Sequence, residues 1–485
     1  MRLSVFLFFV ALYVATTAGH IYTVDSYLTY NVTQAIARHG TLAIPKFMMT
    51  VEGKDGRQYS KLGIGESLVS LPLYWIGSLV EYGSPHNPVF SNYSDHVNIP
   101  DKSRVIVADA QQLIKLNDLE GARVFFTMLT NAFVTALLCL LFWGLLRHFG
   151  LSRKGALWGA SLLGFATPFW VYSRDFFAEP LFAVCLLGSL LLLVGAGRSE
   201  IGRRMLFAGL VSGLGILTRA SFLPIAAIFA AYLVFSSGNT RLGARRAMWF
   251  ALGCAPGVAI LGLLNFLRFG DVFLTGYHTA FDKGFSLPLA KGLWWNLASP
   301  YRSIFLYAPA VVIFAFGLRQ FVRRYRAEAW LMVCIIAYTF AVYSKWWAWH
   351  GGWCWGPRFL LPVIPLLLLP GLVAARTKRW LVVVAVILGI LGFGVQTAGV
   401  LINYTAPYDY WIKIKKLDWA ETNIQQFSPI AVHLKALFAT SPRLYDLWII
   451  QASKVIGLSA VWIILALFGI AGFAGWRIVR PARKS

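Results

Sequence analysis

The stretch RSEIGRRMLFAGLVSGLGILTRASFLPIAAIFAAYLVFSSGNTRLGARR, residues 198–246, decides the class of this chain. Two apolar runs, 204–218 and 221–236, are framed by Arg198, Arg203 and Arg204 on one side and Arg241, Arg245 and Arg246 on the other. Arg219 is the one charged residue between the runs. Apolar runs approaching about 20 residues read as bilayer-crossing helices, and clusters of Lys and Arg mark their cytoplasmic ends. Two crossings therefore leave both clusters inside and Arg219 outside.

The alternation extends along the chain. Further basic clusters lie at Arg147, Arg153 and Lys154; at Arg319, Arg323, Arg324 and Arg326; at Arg376, Lys378 and Arg379; and from Arg477 to Lys484. Hydrophobic residues make up 58% of the chain and charged ones 13%, against about a quarter charged in soluble domains. The formal charge of +24 is divided among short connectors, which reads as topology and contact with anionic membrane lipids. No nucleic-acid partner is expected. Cys139, Cys185, Cys254 and Cys334 fall in apolar runs and Cys354 stands alone, so neither a disulfide framework nor a CxxC metal site can be built.

Other apolar runs occupy 3–19, 122–147, 155–172, 176–196, 246–268, 303–322, 329–347, 358–375, 379–402 and 455–479. The pattern predicts an all-α integral membrane protein with about twelve transmembrane helices. Residues 3–19 end in Thr17–Ala18–Gly19, which also reads as a signal-peptidase site; either way Asp25 lies outside. Counting 62–80 as a crossing would reverse every later basic connector, so parity makes it a re-entrant or interfacial helix. The outer face then owns 20–121, 269–302, 345–357 and 403–450. We divide the chain into a membrane module, 1–402, and a second part, 403–485, comprising an outer segment, a final span and a basic tail.

Candidate chemistry gathers on that outer face. Asp25 follows the first span directly, either as a functional carboxylate at the hydrocarbon boundary or as a cap for the helix starting near Ser26. Lys61, in Tyr59–Ser60–Lys61–Leu62–Gly63, heads the 62–80 helix, where a lysine, free amides and the helix dipole suit a phosphate. Arg174, Asp175 and Glu179 either form a self-satisfied ion pair or supply a second acid to the site. Arg219 and Arg358 abut spans and are candidates for bidentate phosphate contact. Five tryptophans fall within 346–355, either as an interfacial belt or as faces for a sugar or prenyl chain. Tyr27, Tyr59, Asp175, His278, Trp347, His350 and Trp353 are candidate acceptor or sugar contacts. No HExxH, Walker A, GxSxG or Asp-x-Asp occurs, and no metal ligands or other cofactor are assigned.

Taken in order, the Asp25 loop, the Tyr–Ser–Lys–Leu–Gly block, Glu179–Pro180–Leu181, Asn265–Phe–Leu–Arg268–Phe–Gly270 and Gly352–Trp–Cys–Trp–Gly356–Pro357–Arg358 resemble the GT-C superfamily of polytopic glycosyltransferases. The likeness is nearest the aminoarabinose and protein-mannosyl transferases, over residues 1–396. It implies a polyprenyl-phosphate sugar donor and transfer on the periplasmic or lumenal face; with one base and a single displacement, the expectation is an inverting glycosyltransferase serving a lipid, glycan or protein acceptor at the outer face of a bacterial inner membrane. Residue by residue, it implies Asp25 as catalytic acid group, Glu179 as second acid, and Lys61 and Arg219 as donor-phosphate contacts. The Glu-Lys-Pro-Pro pattern of the aminoarabinose transferases is Ser60–Lys61–Leu62–Gly63 here, which leaves the sugar open. A lipid-linked glycan ligase and, in another class, a lipid-linked sugar flippase or transporter are the alternatives. The transporter is disfavoured by the absence of hydropathy symmetry between halves and by ionisable groups clustering at one mouth.

Overall fold

The computed structural model describes residues 1–47, 49–83, 121–196, 202–277, 282–405, 428–442 and 445–480. Among these residues five helices are long and apolar enough to cross a membrane: Ala122–His148, Thr240–Phe269, Arg326–Lys345, Arg379–Leu401 and Ser459–Val479. The chain is a multi-pass membrane protein. The other expected spans fold as shorter apolar helices, among them Arg2–Thr16, Glu179–Val194 and Phe222–Ser236. At about 1.5 Å per residue these fall short of a hydrocarbon core about 30 Å thick.

Proline and small residues explain several of the interruptions. The run 155–172 is cut between Arg153–Phe165 and Phe169–Tyr172, where Pro168 precedes the second piece. The run 303–322 divides into Ile304–Tyr307, a 3-10 turn at Pro309–Val312 and the helix Ile313–Arg324. The run 358–375 opens as a 3-10 turn, Arg358–Val363, after Pro357 and with Pro362 inside it. A prolyl ring removes a donor and clashes with the preceding turn, so it favours a kink or a break in the helix. Breaks at 309 and 357 let the chain bend around the polar cluster described below.

Helix pairs close on glycine. The helix Arg203–Thr218 runs along Thr240–Phe269, and a Cβ on Gly209 would sit 2.0 Å from the Phe250 carbonyl oxygen. Across the same seam a Cβ on Gly257 would meet the Gly213 Cα at 2.5 Å. Two small-xxx-small pairs, Gly209/Gly213 and Gly253/Gly257, therefore bring the backbones into contact, which is how apolar helices associate without a hydrophobic driving force.

The segment between the second and third helices departs from the all-α expectation. Between the helices Val24–His39 and Gly65–Gly83 lies an antiparallel hairpin in which Thr50 pairs with Ser60, Val51 with Tyr59 and Glu52 with Gln58. Asp55–Gly56 makes its turn, with Gly56 at φ +75°, and Asp-Gly between extended residues is the sequence signal for such a turn. The hairpin is fastened by the Lys54 amide donating to the Arg268 carbonyl at 2.8 Å. Its second strand leads straight into Lys61.

The two ends of the bundle differ in chemistry. At one end the basic connectors meet, where Arg376 donates to the Phe149 carbonyl (2.8 Å) and Gln320 to Thr377 (3.0 Å). The other end holds Asp25, Asp175 and Glu179.

Candidate active site

Asp25 lies in the first turn of Val24–His39, but the cap of that helix is Thr23, whose hydroxyl accepts from the Ser26 amide at 3.3 Å. The capping duty is filled, so the Asp25 carboxylate is free to face elsewhere. One of its oxygens accepts from the Arg358 guanidinium. The same guanidinium uses Nε to reach Glu179 Oε1 at 2.7 Å, and Arg219 reaches that oxygen at 2.8 Å. Asp25, Glu179, Arg219 and Arg358, which stand far apart in the chain, thus form one cluster of two acids and two cations.

Burial grades across the cluster. The Glu179 side chain is 2% exposed and Arg358 5%, while Asp25 and Arg219 keep 16% and 20%. The floor is closed and the rim open to solvent. Aromatic rings line it: the Arg358 guanidinium lies 3.9 Å from the centre of the Phe177 ring, and Arg219 lies 5.0 Å from that of Phe359. Tyr343 stacks on Phe359 at 4.7 Å and places its hydroxyl 3.4 Å from Arg219. Such rings hold a guanidinium plane without neutralising it.

Arg358 is positioned by a buried arginine that the sequence reading missed. Arg302, fully buried, donates to the carbonyls of Gly352 (2.8 Å) and Gly356 (2.7 Å) and to that of Cys354. It ties down the glycine- and tryptophan-rich loop that ends at Pro357. An isolated arginine before an apolar run resembles a snorkelling residue, and nothing local marks it as a clamp.

Lys61 is engaged by a carboxylate. Its ammonium pairs with Asp282 at 3.0 Å, with side chains 9% and 1% exposed, and lies 5.0 Å from the Tyr277 ring centre. Tyr277 in turn stands in the fields of Arg219, Asp25 and Arg358, so it joins the lysine to the acid–arginine cluster. Gly63 and Gly65 press the start of the Gly65–Gly83 helix onto the end of Arg203–Thr218: a Cβ on Gly63 would sit 2.2 Å from the Thr218 carbonyl oxygen. That contact brings the segment that carries Lys61 up to the helix end that carries Arg219.

Glu66, one residue further on, is fully buried with neither carboxyl oxygen hydrogen-bonded. Burial first, and then the charge of nearby Glu179, push its carboxyl well above the ordinary range. An unpartnered buried carboxylate takes up a proton rather than stay charged. The remaining Glu179 oxygen, Oε2, is likewise buried without a partner.

Other candidate contacts are distributed unevenly. Asp175 is 1% exposed and its oxygens are taken by Ser26, Tyr404 and the Phe176 amide, so it faces protein rather than an acceptor. Tyr59 is buried on the hairpin, donating to Asp55 at 2.7 Å. Tyr27 packs against Phe47 at 4.7 Å. His350 accepts from the Gly352 amide at 3.0 Å, and burial, aided by Arg302, lowers its pKa to about 3, so its imidazole stays neutral near pH 7. Trp353 belongs to an aromatic cluster with Tyr301, Trp295 and Trp349, the last two stacked at 4.4 Å. The Trp347 amide donates to the Gly284 carbonyl at 3.0 Å and its indole N–H is buried without a partner. His278 lies outside the described residues.

No protein-family model and no curated protein matches this sequence. Among solved structures, ArnT from Cupriavidus metallidurans bound to undecaprenyl phosphate is similar at 14% identity and a TM-score of 0.46, over 98% of this chain and 76% of that one. Archaeal oligosaccharyltransferase AglB from Archaeoglobus fulgidus, in complex with an inhibitory peptide and a dolichol-phosphate, gives 12% identity and a TM-score of 0.42, over 98% of this chain and 56% of that one. Likeness at this level concerns the course of the chain alone. The functional reading rests on the site.

Proposed function

We propose that this protein is an inverting glycosyltransferase that moves a monosaccharide from a polyprenyl-phosphate carrier to a lipid, glycan or protein acceptor at the outer face of a bacterial inner membrane. The observation that carries the reading is the Arg358 guanidinium bridging Asp25 and Glu179, with Arg219 on the same glutamate. A phosphate approaching this end of the bundle meets two guanidiniums and competes with the carboxylates for them. Bidentate geometry favours it in that exchange. As Arg358 turns to the phosphate, Asp25 loses its counter-ion and becomes a better base.

Transfer then needs two things from the protein. A polyprenyl phosphate leaves as a stable anion, which Arg219, Arg358 and Lys61 stabilise as charge develops. The acceptor hydroxyl must lose its proton as it attacks the anomeric carbon, and Asp25, the more exposed acid, takes it. Glu179 stays on the closed floor and holds the two arginines in place. One displacement with one base inverts the anomeric centre, by analogy with inverting glycoside hydrolysis. A ligase moving a preassembled glycan would call on the same groups, whereas a transporter is expected to place its charged groups near mid-membrane.

The test is transfer by the purified protein from a panel of polyprenyl-phosphate hexoses and pentoses, with the product anomer assigned by NMR. Inverted product from at least one donor is expected. Retained configuration, or movement of the lipid-linked sugar across vesicles without transfer, would overturn the reading.

A further inference from the structure

The Arg174–Asp175 dipeptide fastens three distant parts of the chain to one another. Both side chains are 1% exposed. Asp175 Oδ1 accepts from the Ser26 hydroxyl at 2.5 Å and from the Phe176 amide at 2.7 Å, and Oδ2 accepts from the Tyr404 hydroxyl. Arg174 donates to the carbonyls of Val400 and Asp446 and to Asp446 Oδ2 at 3.2 Å. Asp446 also accepts from Tyr22 at 2.5 Å and meets His20 Nε2 at 2.8 Å. The turn itself is pinned by Asn131, whose amide donates to the carbonyls of Asp175 (2.6 Å) and Phe177 (2.8 Å).

The placement matters because of what adjoins it. Ser26 follows Asp25 directly, and Glu179 lies four residues beyond Asp175. A bond from Asp175 to Ser26 therefore fixes the two acids relative to each other, at the separation that lets one Arg358 reach both. Each Asp175 oxygen already has a protein donor and the side chain is buried, so it is turned away from an acceptor. We propose that Asp175 is a positioning residue that holds Asp25 in register with Arg358, and that the C-terminal outer segment, through Tyr404 and Asp446, is the support from which it does so. The proposal rests on the reading of Asp25 as the base, and it gives that segment a task.

A thiol at position 25 reports the register directly. Cys334 is exposed and the other four cysteines are buried, so Cys334→Ser leaves a quiet background for Asp25→Cys in the full-length protein. The pH dependence of its reaction with an impermeant methanethiosulfonate gives the thiol midpoint. A cation alongside lowers a thiol from about 8.5, so the midpoint should lie below that value and Arg358→Ala should return it there. Ser26→Ala and Tyr404→Phe should each raise it by about half a unit or more, as should Asp175→Ala. Asp175→Asn keeps an acceptor for Ser26 and Phe176 and should leave it near the starting value. Ser189→Ala, which breaks a 2.8 Å bond to Ser212 between helices elsewhere, should not move it. Should Ser26→Ala and Tyr404→Phe leave the midpoint unchanged while Arg358→Ala raises it, Asp175 does not set the register and the proposal falls, with the proposed function standing. No shift with Arg358→Ala would overturn the Asp25–Arg358 pairing, and both readings with it.

Discussion

At the residue scale, Arg358 is the side chain on which the most depends, because one fork carries two carboxylates. Lysine is a point charge and cannot reproduce contacts through Nε and Nη together, so Arg358→Lys is expected to lower transfer by about 10²-fold or more. Arg358→Ala leaves Glu179 buried beside fewer cations, and breaking a buried pair in this way costs about 3–5 kcal/mol. A thermal melt in detergent should show that loss for alanine and a smaller one for lysine. Asp25→Asn keeps the shape and leaves the Thr23 cap intact, yet cannot take a proton. Folding should survive while transfer falls by about 10²–10⁴-fold, with polyprenyl phosphate binding retained or tightened because one competitor for Arg358 is gone. Near-parental transfer by Asp25→Asn, with none by Glu179→Gln, would move the base to Glu179.

At the scale of elements, the seam between Arg203–Thr218 and Thr240–Phe269 has no room for a side chain at Gly209, Gly253 or Gly257. Overpacking a close seam costs about 1–3 kcal/mol or more, so Gly257→Leu should lower the melting temperature clearly. Gly472→Ala, in a helix where nothing lies within 4 Å of the added carbon, should leave it unchanged. Because Arg219 follows the end of the first of these helices, Gly257→Leu should also weaken binding of polyprenyl phosphate, measured by titrating it into the purified protein. An equal melt for Gly257→Leu and Gly472→Ala would show that the seam does not bear on stability.

At the scale of the molecule, His20 and Asp446 join chain segments 426 residues apart, and their pairing makes the carboxylate-bearing end of the bundle pH-sensitive. Burial opposes a charge on His20, but the charge and hydrogen bond of Asp446 outweigh it and raise the imidazole above its usual value. Burial likewise opposes the charge on Asp446, and His20, Arg174 and the Tyr22 hydroxyl outweigh it, leaving the acid well below the ordinary range. The raised His20 contributes fully below about pH 6.5 and is lost as pH rises through its folded value. The depressed Asp446 contributes above about pH 4 and is lost only in strong acid. Tyr22, Arg174 and nearby Asp175 are the other ionisable groups facing the pair. The melting-temperature gap between parent and His20→Gln should therefore be widest near pH 5–6 and close toward pH 9. A gap constant across that range would show that His20 is neutral in the pair.

Topology is tested at the same scale. In the Cys334→Ser background, cysteines placed at Lys61 and Trp353 should react with an impermeant maleimide from outside, while those at Arg153, Arg245 and Arg324 should be protected. The reverse pattern would put the acid cluster in the cytoplasm.

What the sequence determined by itself is what depends on neighbouring residues. Apolar runs and the spacing of Arg clusters predict a multi-pass helical protein, and isolated acids and arginines at alternate run ends mark the candidate face, since hydropathy and charge are local properties. Even the hairpin left a trace in Asp55–Gly56, although the all-α reading passed over it. Pairing is not local. Arg358 lies 333 residues from Asp25 and 179 from Glu179, and no spacing encodes that one guanidinium serves both. Only the tertiary structure decided that Asp282 occupies Lys61, that Asp175 faces Ser26 and Tyr404, and that Glu66 is buried unpartnered. The physical reason is that desolvation and Coulomb terms act through space, over distances that the folded backbone sets.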